Sequence, residues 1–349
     1  MTETAQMPNI QLNLVGLSKN DYRGAPTTLC AGCGHNSISN QIIAAAFELN
    51  IVPENVMKLS GIGCSSKSPA YFLNRSFGFN SLHGRMPSVA TGAMFGDHRM
   101  RALAVSGDGD TTNIGMGQFK HVMRRNLPMV YIVENNGVYG LTKGQFSATA
   151  EQGLRLKYQG LNHFTPVDVV EEAMASGATF VARSFAGDAN QVKALIKAAL
   201  SHNGLAVLDI ISPCVTFNNE DDSRHSYGWG REHQEPLHDF TYVPREQEIL
   251  VGEFPEGTTK TVTMHDGSTI VLKKLERDYD PTSRSVAMKL IEEARNEAVL
   301  LTGLVYVDPS QPSLTDISEL PKERSLNRMT ESELRPPKDM IEKVNAMMF

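Results

Sequence analysis

From residue 30 to residue 214 the chain alternates short, almost continuous apolar runs with longer segments whose apolar positions recur at helical spacing. The runs inside "NVMKLSGIGCSS", "RALAVSGDGDTTNIG", "LPMVYIVENNGVYG", "ATFVARSF" and "LAVLDIISPC" lack the every-other-residue polarity of a half-exposed strand. They therefore predict strands covered on both faces. Between them, "NSISNQIIAAAFELN", "MPSVATGAMFGDHRM", "IGMGQFKHVMRRN", "PVDVVEEAMASG" and "ANQVKALIKAALSHNG" predict helices, the first with an Asn or Ser cap at Asn36 or Ser37. Strands alternating with helices predict an α/β fold, a mostly parallel sheet with helices on both faces.

The pattern changes near Arg224. "TKTVTMHDGSTIVLKKL" predicts a hairpin turning at Asp266 and Gly267, and "DPTSRSVAMKLIEEARNEAVLLTG" predicts a helix. Residues 310–349 are rich in Pro, Glu, Lys and Arg. This divides the chain into a main domain, 1–224, and a C-terminal extension, 225–349, expected to pack as an appendage and tail on the main domain or on a partner subunit. No internal repeat or low-complexity tract is evident.

Composition adds exclusions. The 349 residues suffice for one large α/β domain with an ample core. A net charge of −6 argues against a general nucleic-acid binder. No apolar run reaches the roughly 18–20 residues of a membrane-spanning helix. The first residues, "MTETAQMPNIQLNL", show no basic segment followed by a long apolar one, so a cytoplasmic location is expected. In that reducing compartment the four cysteines point to metal binding, catalysis or burial rather than to a disulfide framework.

The candidate chemistry sits where strands end. "KLSGIGC", "LAVSGDGD", "VYIVENN" and "LDIISPC" each run from an apolar strand into a polar or sulfur-bearing end. In a parallel sheet these ends share the edge where open α/β sheets bind ligands, which would gather Cys64, Asp108, Asn136 and Cys214. The "GDGD" at residues 107–110 offers glycines for close backbone approach to an anion at a helix start. Its carboxylates would repel a phosphate unless a cation intervened, and Mg2+ on Asp108, bridging to phosphate oxygens, resolves the conflict. The Asn136 side chain and the Val138 carbonyl are the further oxygen donors expected. The GxGxxG nicotinamide pattern fails beyond its second glycine. The "CAGCGH" at residues 30–35 admits a zinc site, a redox dithiol or an iron–sulfur cluster, and the residues alone leave zinc and cluster both open.

"GDGD" followed by "ENN" resembles the thiamine diphosphate motif of GDG and a later NN. Together, "CAGCGH", "GIGCSS", "LHGR", "GDGD" and "NNGVYGLTKGQFSAT", with Cys214 beyond them, resemble the β subunit of 2-oxoacid:ferredoxin oxidoreductases over about half of the chain. The resemblance implies the diphosphate-binding domain of the thiamine diphosphate fold. It places Mg2+ on Asp108, Asn136 and the Val138 carbonyl. It places thiamine diphosphate among Ile62, Gly63, Cys64, Ser65, His83, Gly107, Asp108, Gly109, Asp110, Gly140 and Leu141. It assigns Cys30, Cys33, Cys64 and Cys214 to one [4Fe–4S] cluster, and four thiolates with none left over satisfy a cubane.

The implied reaction is oxidative decarboxylation of a 2-oxoacid with coenzyme A as acyl acceptor and ferredoxin as electron acceptor, or its reverse. No carboxylate suited to activate the aminopyrimidine ring is evident, and the resemblance assigns that glutamate to a partner α subunit in an (αβ)2 assembly. "YGLTKGQ" is similar to members acting on 2-oxoglutarate, with Lys143 expected at the substrate carboxylate. Pyruvate or broad specificity is the alternative within the family. A cluster-free thiamine enzyme and a non-catalytic iron–sulfur or zinc scaffold subunit are the alternatives outside it. His35 and His121 are expected to cap or pack rather than catalyse.

Overall fold

Eight strands form the central sheet of the computed structural model, which describes residues 11–243, 255, 257–263, 269–273 and 279–348. They are β1 (Val56–Ser60), β2 (Phe77–Asn80), β3 (Arg101–Gly107), β4 (Met129–Asn135), β5 (Phe180–Phe185), β6 (Leu205–Ile211), β7 (Gln234–Pro236) and β8 (Leu300–Val307). Their order across the sheet is β7-β8-β5-β6-β4-β3-β1-β2. Every neighbouring pair is parallel except β5 with β8. The register pairs Asn135 with Ile211 and Glu134 with Gly107, so β3, β4 and β6 end level with one another.

The helices are α1 (Gly34–Glu48), α2 (Met86–Gly96), α3 (Met116–Arg124), α4 (Val169–Ala175), α5 (Ala189–Ser201), α6 (Tyr227–His233), α7 (Arg284–Glu297) and α8 (Lys338–Met348). On one face α1 and α5 bury Ile38, Ile42, Leu195 and Ile196 against Val105, Ile132 and Leu208. On the other, α2, α3, α4 and α7 bury Met94, Phe119, Met174 and Ile291 against Ala104, Tyr131, Val133 and Val207. Neighbouring strand residues thus face opposite apolar layers, which accounts for strands without polar alternation. The fold class is the one the sequence pattern predicts.

Local departures have physical causes. α1 starts at Gly34 behind Cys33, before the expected Asn36 or Ser37 cap. Gly34 is held against the end of β6, its N–H reaching Pro213 O at 3.3 Å, and a Cβ there would lie 2.5 Å from Ser212 Oγ. The segment "NEAVLLTG", expected to be helical, is divided. α7 ends at Glu297, Ala298 turns left-handed at φ 55°, and Leu300 begins β8. The chain after residue 224 therefore supplies two strands to the central sheet instead of only lying against it. β2 escapes the sequence pattern because all four of its residues are exposed at the sheet edge.

The strands of the expected hairpin, Thr259–Thr263 and Thr269–Lys273, pair antiparallel, with Asp239–Val243 on the far side of the second. Asp266 and Gly267 lie outside the described residues. Among the described residues no helix is long and apolar enough to cross a membrane.

Candidate functional site

The parallel strands β1, β3, β4 and β6 deliver their following loops to one edge, and the loops touch. A Cβ on Gly107 would stand 3.0 Å from Ile62 O and 3.1 Å from Ser65 Oγ. One on Gly109 would stand 2.4 Å from the Tyr139 ring, whose hydroxyl donates to Gly109 O at 2.9 Å. Gly140 faces the cysteines, at 3.4 Å from Cys64 Sγ and 3.7 Å from Cys214 Sγ measured from its ideal Cβ position. The absence of side chains here is what lets backbone from separate loops approach so closely.

Asp108 is buried. Its Oδ2 accepts hydrogen bonds from Ser147 Oγ and, at 2.7 Å, from Thr149 Oγ1. Its Oδ1 has the Asn136 N–H at a long 3.4 Å. Asn136 Oδ1 accepts the Val138 N–H at 3.1 Å, which folds the loop tightly after β4. The structure thus brings Asp108, Asn136 and Val138 together. A buried carboxylate, an amide oxygen and a main-chain carbonyl are the hard oxygen donors that suit Mg2+.

Several supports for this centre escaped the sequence reading. Ser147 and Thr149 hold Asp108, and Thr149 Oγ1 also lies 2.9 Å from Asn135 Oδ1. Asn135 donates to Asp209 at 3.0 Å, and Asp209 accepts from Arg183 Nε at 2.9 Å. Arg183 also reaches Asp168. His225 bridges Asn135 Oδ1 and Glu151 Oε1, at 3.1 and 3.0 Å. These polar side chains and Thr149 line a cavity of about 590 Å³ beside the Asp108 loop. The serine and threonine in "FSATA" were the one sequence signal, two short hydroxyl residues soon after the Asn pair.

Glu134 and His35 form a second buried polar set. His35 Nδ1 lies 2.5 Å from Ser212 Oγ and 3.7 Å from Glu134 Oε2, and its Nε2 lies 3.4 Å from Asn136 Nδ2. Ser68 donates to Glu134 at 2.9 Å, and Glu134 Oε1 has no partner. Burial drives the Glu134 carboxyl well above its ordinary pKa and lowers the His35 imidazole to about 4. Both are neutral at pH 7, so their contact is not an ion pair. His35 packs, as expected, but against Asn136.

All four cysteines are free thiols and line one cavity of about 170 Å³, together with Lys67, Asn136, Gly140, Leu141 and Phe217. Burial pushes the Cys33 thiol up to about 12 and raises Cys64 and Cys214. A nucleophilic or redox-active thiol needs a lowered pKa, so the dithiol reading finds no support in this environment. A bound cation would reverse that balance and hold the sulfurs as thiolates. Among the described residues, no three His, Cys, Asp or Glu side chains are grouped as ligands of a single metal ion. The thiols ring a cavity instead. Four cysteine donors around a space of this size suit a polynuclear cluster, which needs its sulfurs spread about a body rather than converging on a point.

The remaining candidates surround these two centres. Ser65 is buried, Ile62 and Gly63 are partly so, and His83 and Leu141 are exposed. Asp110 is buried, with both carboxylate oxygens engaged by neighbouring loops. Lys143 is exposed, at φ 78°. His121 is exposed on α3, away from any role suggested by the geometry.

Comparison with known proteins agrees with this geometry. Residues 61–210 match the family described as "Thiamine pyrophosphate enzyme, C-terminal TPP binding domain". A 2-oxoacid:ferredoxin oxidoreductase subunit beta from Sulfolobus sp is 43% identical over 191 residues, covering 54% of this chain and 63% of that protein. The match thus spans less than two thirds of that relative. The 2-oxoglutarate synthase subunit KorB of Methanocaldococcus jannaschii is 35% identical over 195 residues, covering 55% of this chain and 71% of that one. A solved structure of 2-oxoglutarate:ferredoxin oxidoreductase from Magnetococcus marinus, with 2-oxoglutarate, coenzyme A and succinyl-CoA bound, superposes with a TM-score of 0.71. It is 29% identical and the alignment covers 90% of this chain and 92% of that one. The thiamine-type sheet edge and these similarities together establish that the chain belongs to the family of 2-oxoacid:ferredoxin oxidoreductase β subunits.

Proposed function

We propose that this chain holds the diphosphate end of thiamine diphosphate, its Mg2+ and a [4Fe–4S] cluster, as the β subunit of an enzyme that converts 2-oxoglutarate and coenzyme A to succinyl-CoA and CO2, or runs the reverse carboxylation. The carrying observation is one loop. Its start, Asn136 and Val138, stands beside Asp108, and three residues later Gly140 lies against Cys64 and Cys214. A cofactor site and an electron-carrying site separated by a few residues of one loop suit a reaction that must move electrons away from bound substrate. The similarity to KorB and to the Magnetococcus marinus structure favours 2-oxoglutarate over pyruvate.

The residues fit the groups they are assigned. Asp108, Asn136 and the Val138 carbonyl would hold Mg2+, with Ser147 and Thr149 fixing the Asp108 rotamer. The loop of Ile62, Gly63, Cys64 and Ser65, with Gly107, Gly109, Gly140 and Leu141, would enclose the diphosphate side, with His83 at its rim. Cys30, Cys33, Cys64 and Cys214 would hold the cluster, the source of one-electron transfer to ferredoxin. Thiamine diphosphate supplies, when bound, the carbanion that attacks the 2-oxoacid carbonyl and accepts the electrons left by CO2. Tyr139 and the neighbouring backbone exclude water from the Gly109 side. Lys143, exposed on the same loop, would meet the substrate's distal carboxylate.

The activating glutamate would come from an α subunit in an (αβ)2 assembly. Phe77, Phe79, Leu82 and Ile114 are exposed large apolar residues. Two of them lie on edge strand β2, and the others flank the Gly84 loop. An uncovered apolar rim at a ligand-binding edge supports a partner there. A cytoplasmic location accords with ferredoxin as acceptor.

The test is anaerobic co-expression with the α subunit, followed by thiamine diphosphate and iron analysis and assays on 2-oxoglutarate and pyruvate. A brown complex containing both cofactors and preferring 2-oxoglutarate is expected. A colourless zinc protein without thiamine diphosphate would establish the scaffold alternative. Equal activity on pyruvate would establish broad specificity. Lys143→Ala is expected to raise KM for 2-oxoglutarate more than for pyruvate, and equal changes would remove Lys143 from substrate choice.

A further inference from the structure

Asp110, the second acid of "GDGD", opens a single π-helical turn, Asp110–Ile114, a form that recurs at functional sites. It is buried, and its carboxylate accepts three hydrogen bonds. Gly84 N–H reaches Oδ1 at 2.7 Å, while Ile62 N–H and Ser106 O–H reach Oδ2 at 3.1 and 2.9 Å. Its own carbonyl accepts Gly115 N–H at 2.8 Å. One side chain therefore joins the loop after β1, the loop before α2 and the end of β3.

The three segments also press on one another without spare room. A Cβ on Gly61 would lie 2.6 Å from Asp110 Oδ2, and one on Gly84 would lie 2.9 Å from Gly115. We infer that the two acids of "GDGD" have divided roles: Asp108 faces the cation, and Asp110 is a positioning residue that ties the Ile62 and Gly84 loops into the shape that receives the diphosphate. The inference rests on the thiamine diphosphate reading for what the loops receive, but not for the tie itself. A free carboxylate beside a diphosphate would repel it. Engaging both oxygens with N–H and O–H donors spends that charge on the loops instead. Asparagine cannot substitute, because one of its terminal atoms is a donor and would meet a backbone N–H or the Ser106 hydroxyl.

The test compares wild type, Asp110→Asn and Ser106→Ala as full chains, by amide hydrogen exchange without cofactor and by titration with thiamine diphosphate and Mg2+. In Asp110→Asn the amides of Ile62 and Gly84 are expected to exchange faster in the cofactor-free protein, with exchange elsewhere unchanged. The thiamine diphosphate Kd is expected to rise about tenfold or more, the scale of one lost charge-assisted hydrogen bond. Ser106→Ala is expected to show the same pattern more weakly. Wild-type exchange at both amides with a raised Kd would overturn the inference in favour of direct cofactor contact. Faster exchange with an unchanged Kd would overturn it too, as would no change in either. If Asp110→Asn loses protection throughout, Ser106→Ala decides, and wild-type behaviour in that variant overturns the tie. A wild-type chain that binds no thiamine diphosphate refutes the proposed function while leaving the exchange result to stand on its own.

Discussion

Gly109 has a backbone that any residue could adopt, yet no room for a methyl group. A Cβ there would meet three carbons of the Tyr139 ring between 2.4 and 2.9 Å, in a ring anchored by its hydroxyl to Gly109 O. Gly109→Ala must displace Tyr139 and is expected to cost about 1–3 kcal/mol by overpacking, together with weaker thiamine diphosphate binding. Gly92 is the contrast, exposed within α2 with nothing within 4 Å of a Cβ. Gly92→Ala is expected to stabilise the chain by up to about 1 kcal/mol, because alanine loses less backbone freedom on entering a helix. Urea unfolding of both variants checks the pair, and a loss in Gly92→Ala would sink the argument that free space separates them. At this scale the motifs were legible where backbone chemistry alone defines them, as in Asp108, Asn136 and the four cysteines. Ser147, Thr149 and His225 were not, since short polar residues acquire a role only once the loops carrying them fold against Asp108 and Asn135. The burial of Glu134 was hidden for the same reason, for it depends on Ser68 and His35 arriving from other segments.

Elements begin and end where a side chain meets an unpaired backbone group. Asp168 caps α4 by accepting Val170 and Glu171 N–H at 2.9 and 3.1 Å, and it also pairs with Arg183. Burial opposes its ionisation, but the Arg183 charge and the Glu171 N–H hold its pKa below the usual value. Asp168→Ala removes the cap and leaves Arg183 with Asp209 alone, and is expected to cost about 3 kcal/mol or more in urea unfolding. Asp168→Asn retains an acceptor for the cap, so a smaller loss is expected. A depressed carboxylate contributes stability that is present above the unfolded pKa and lost as pH falls through the folded one, so the deficit of Asp168→Ala is expected to shrink in acid. At the end of α7, Ala298 adopts φ 55°, where glycine has no steric penalty. Ala298→Gly is expected to stabilise by less than about 1 kcal/mol, the relief of strain exceeding the added freedom of the unfolded chain. This turn also marks the element boundary that periodicity missed. "NEAVLLTG" has apolar residues that satisfy either period, and only the left-handed turn and the pairing of β8 with β5 decide between them.

At the scale of the molecule, the sheet edge was legible because parallel topology places all its carboxyl ends together without further information. The antiparallel return of β8 was not, since no local pattern states which existing strand a later one will join. His238 tests that return. It is buried beyond β7, its ring stacks at 6.2 Å on Tyr279, and its Cε1 lies 3.4 Å from the Cβ position of Gly303 in β8. Burial lowers its pKa from 6.5 to about 4, so the folded chain keeps the imidazole neutral where the unfolded chain would protonate it. The unfolded state then binds more protons between pH 6.5 and 4, and stability is complete above that window and falls as pH falls through it. The full loss amounts to about 3 kcal/mol, with about 2 kcal/mol of it reached by pH 5. His35 acts in the same direction, and Glu134, with its raised pKa, acts in the opposite one, so the slope of the wild type alone is ambiguous. The difference from His238→Phe is not, because the other groups cancel. Urea unfolding across pH 5–8 is expected to show the wild type losing its advantage over His238→Phe as pH drops below 6.5. Parallel curves for the two proteins would mean that His238 titrates alike in both states, and that the junction of β8 with the main sheet is open to water.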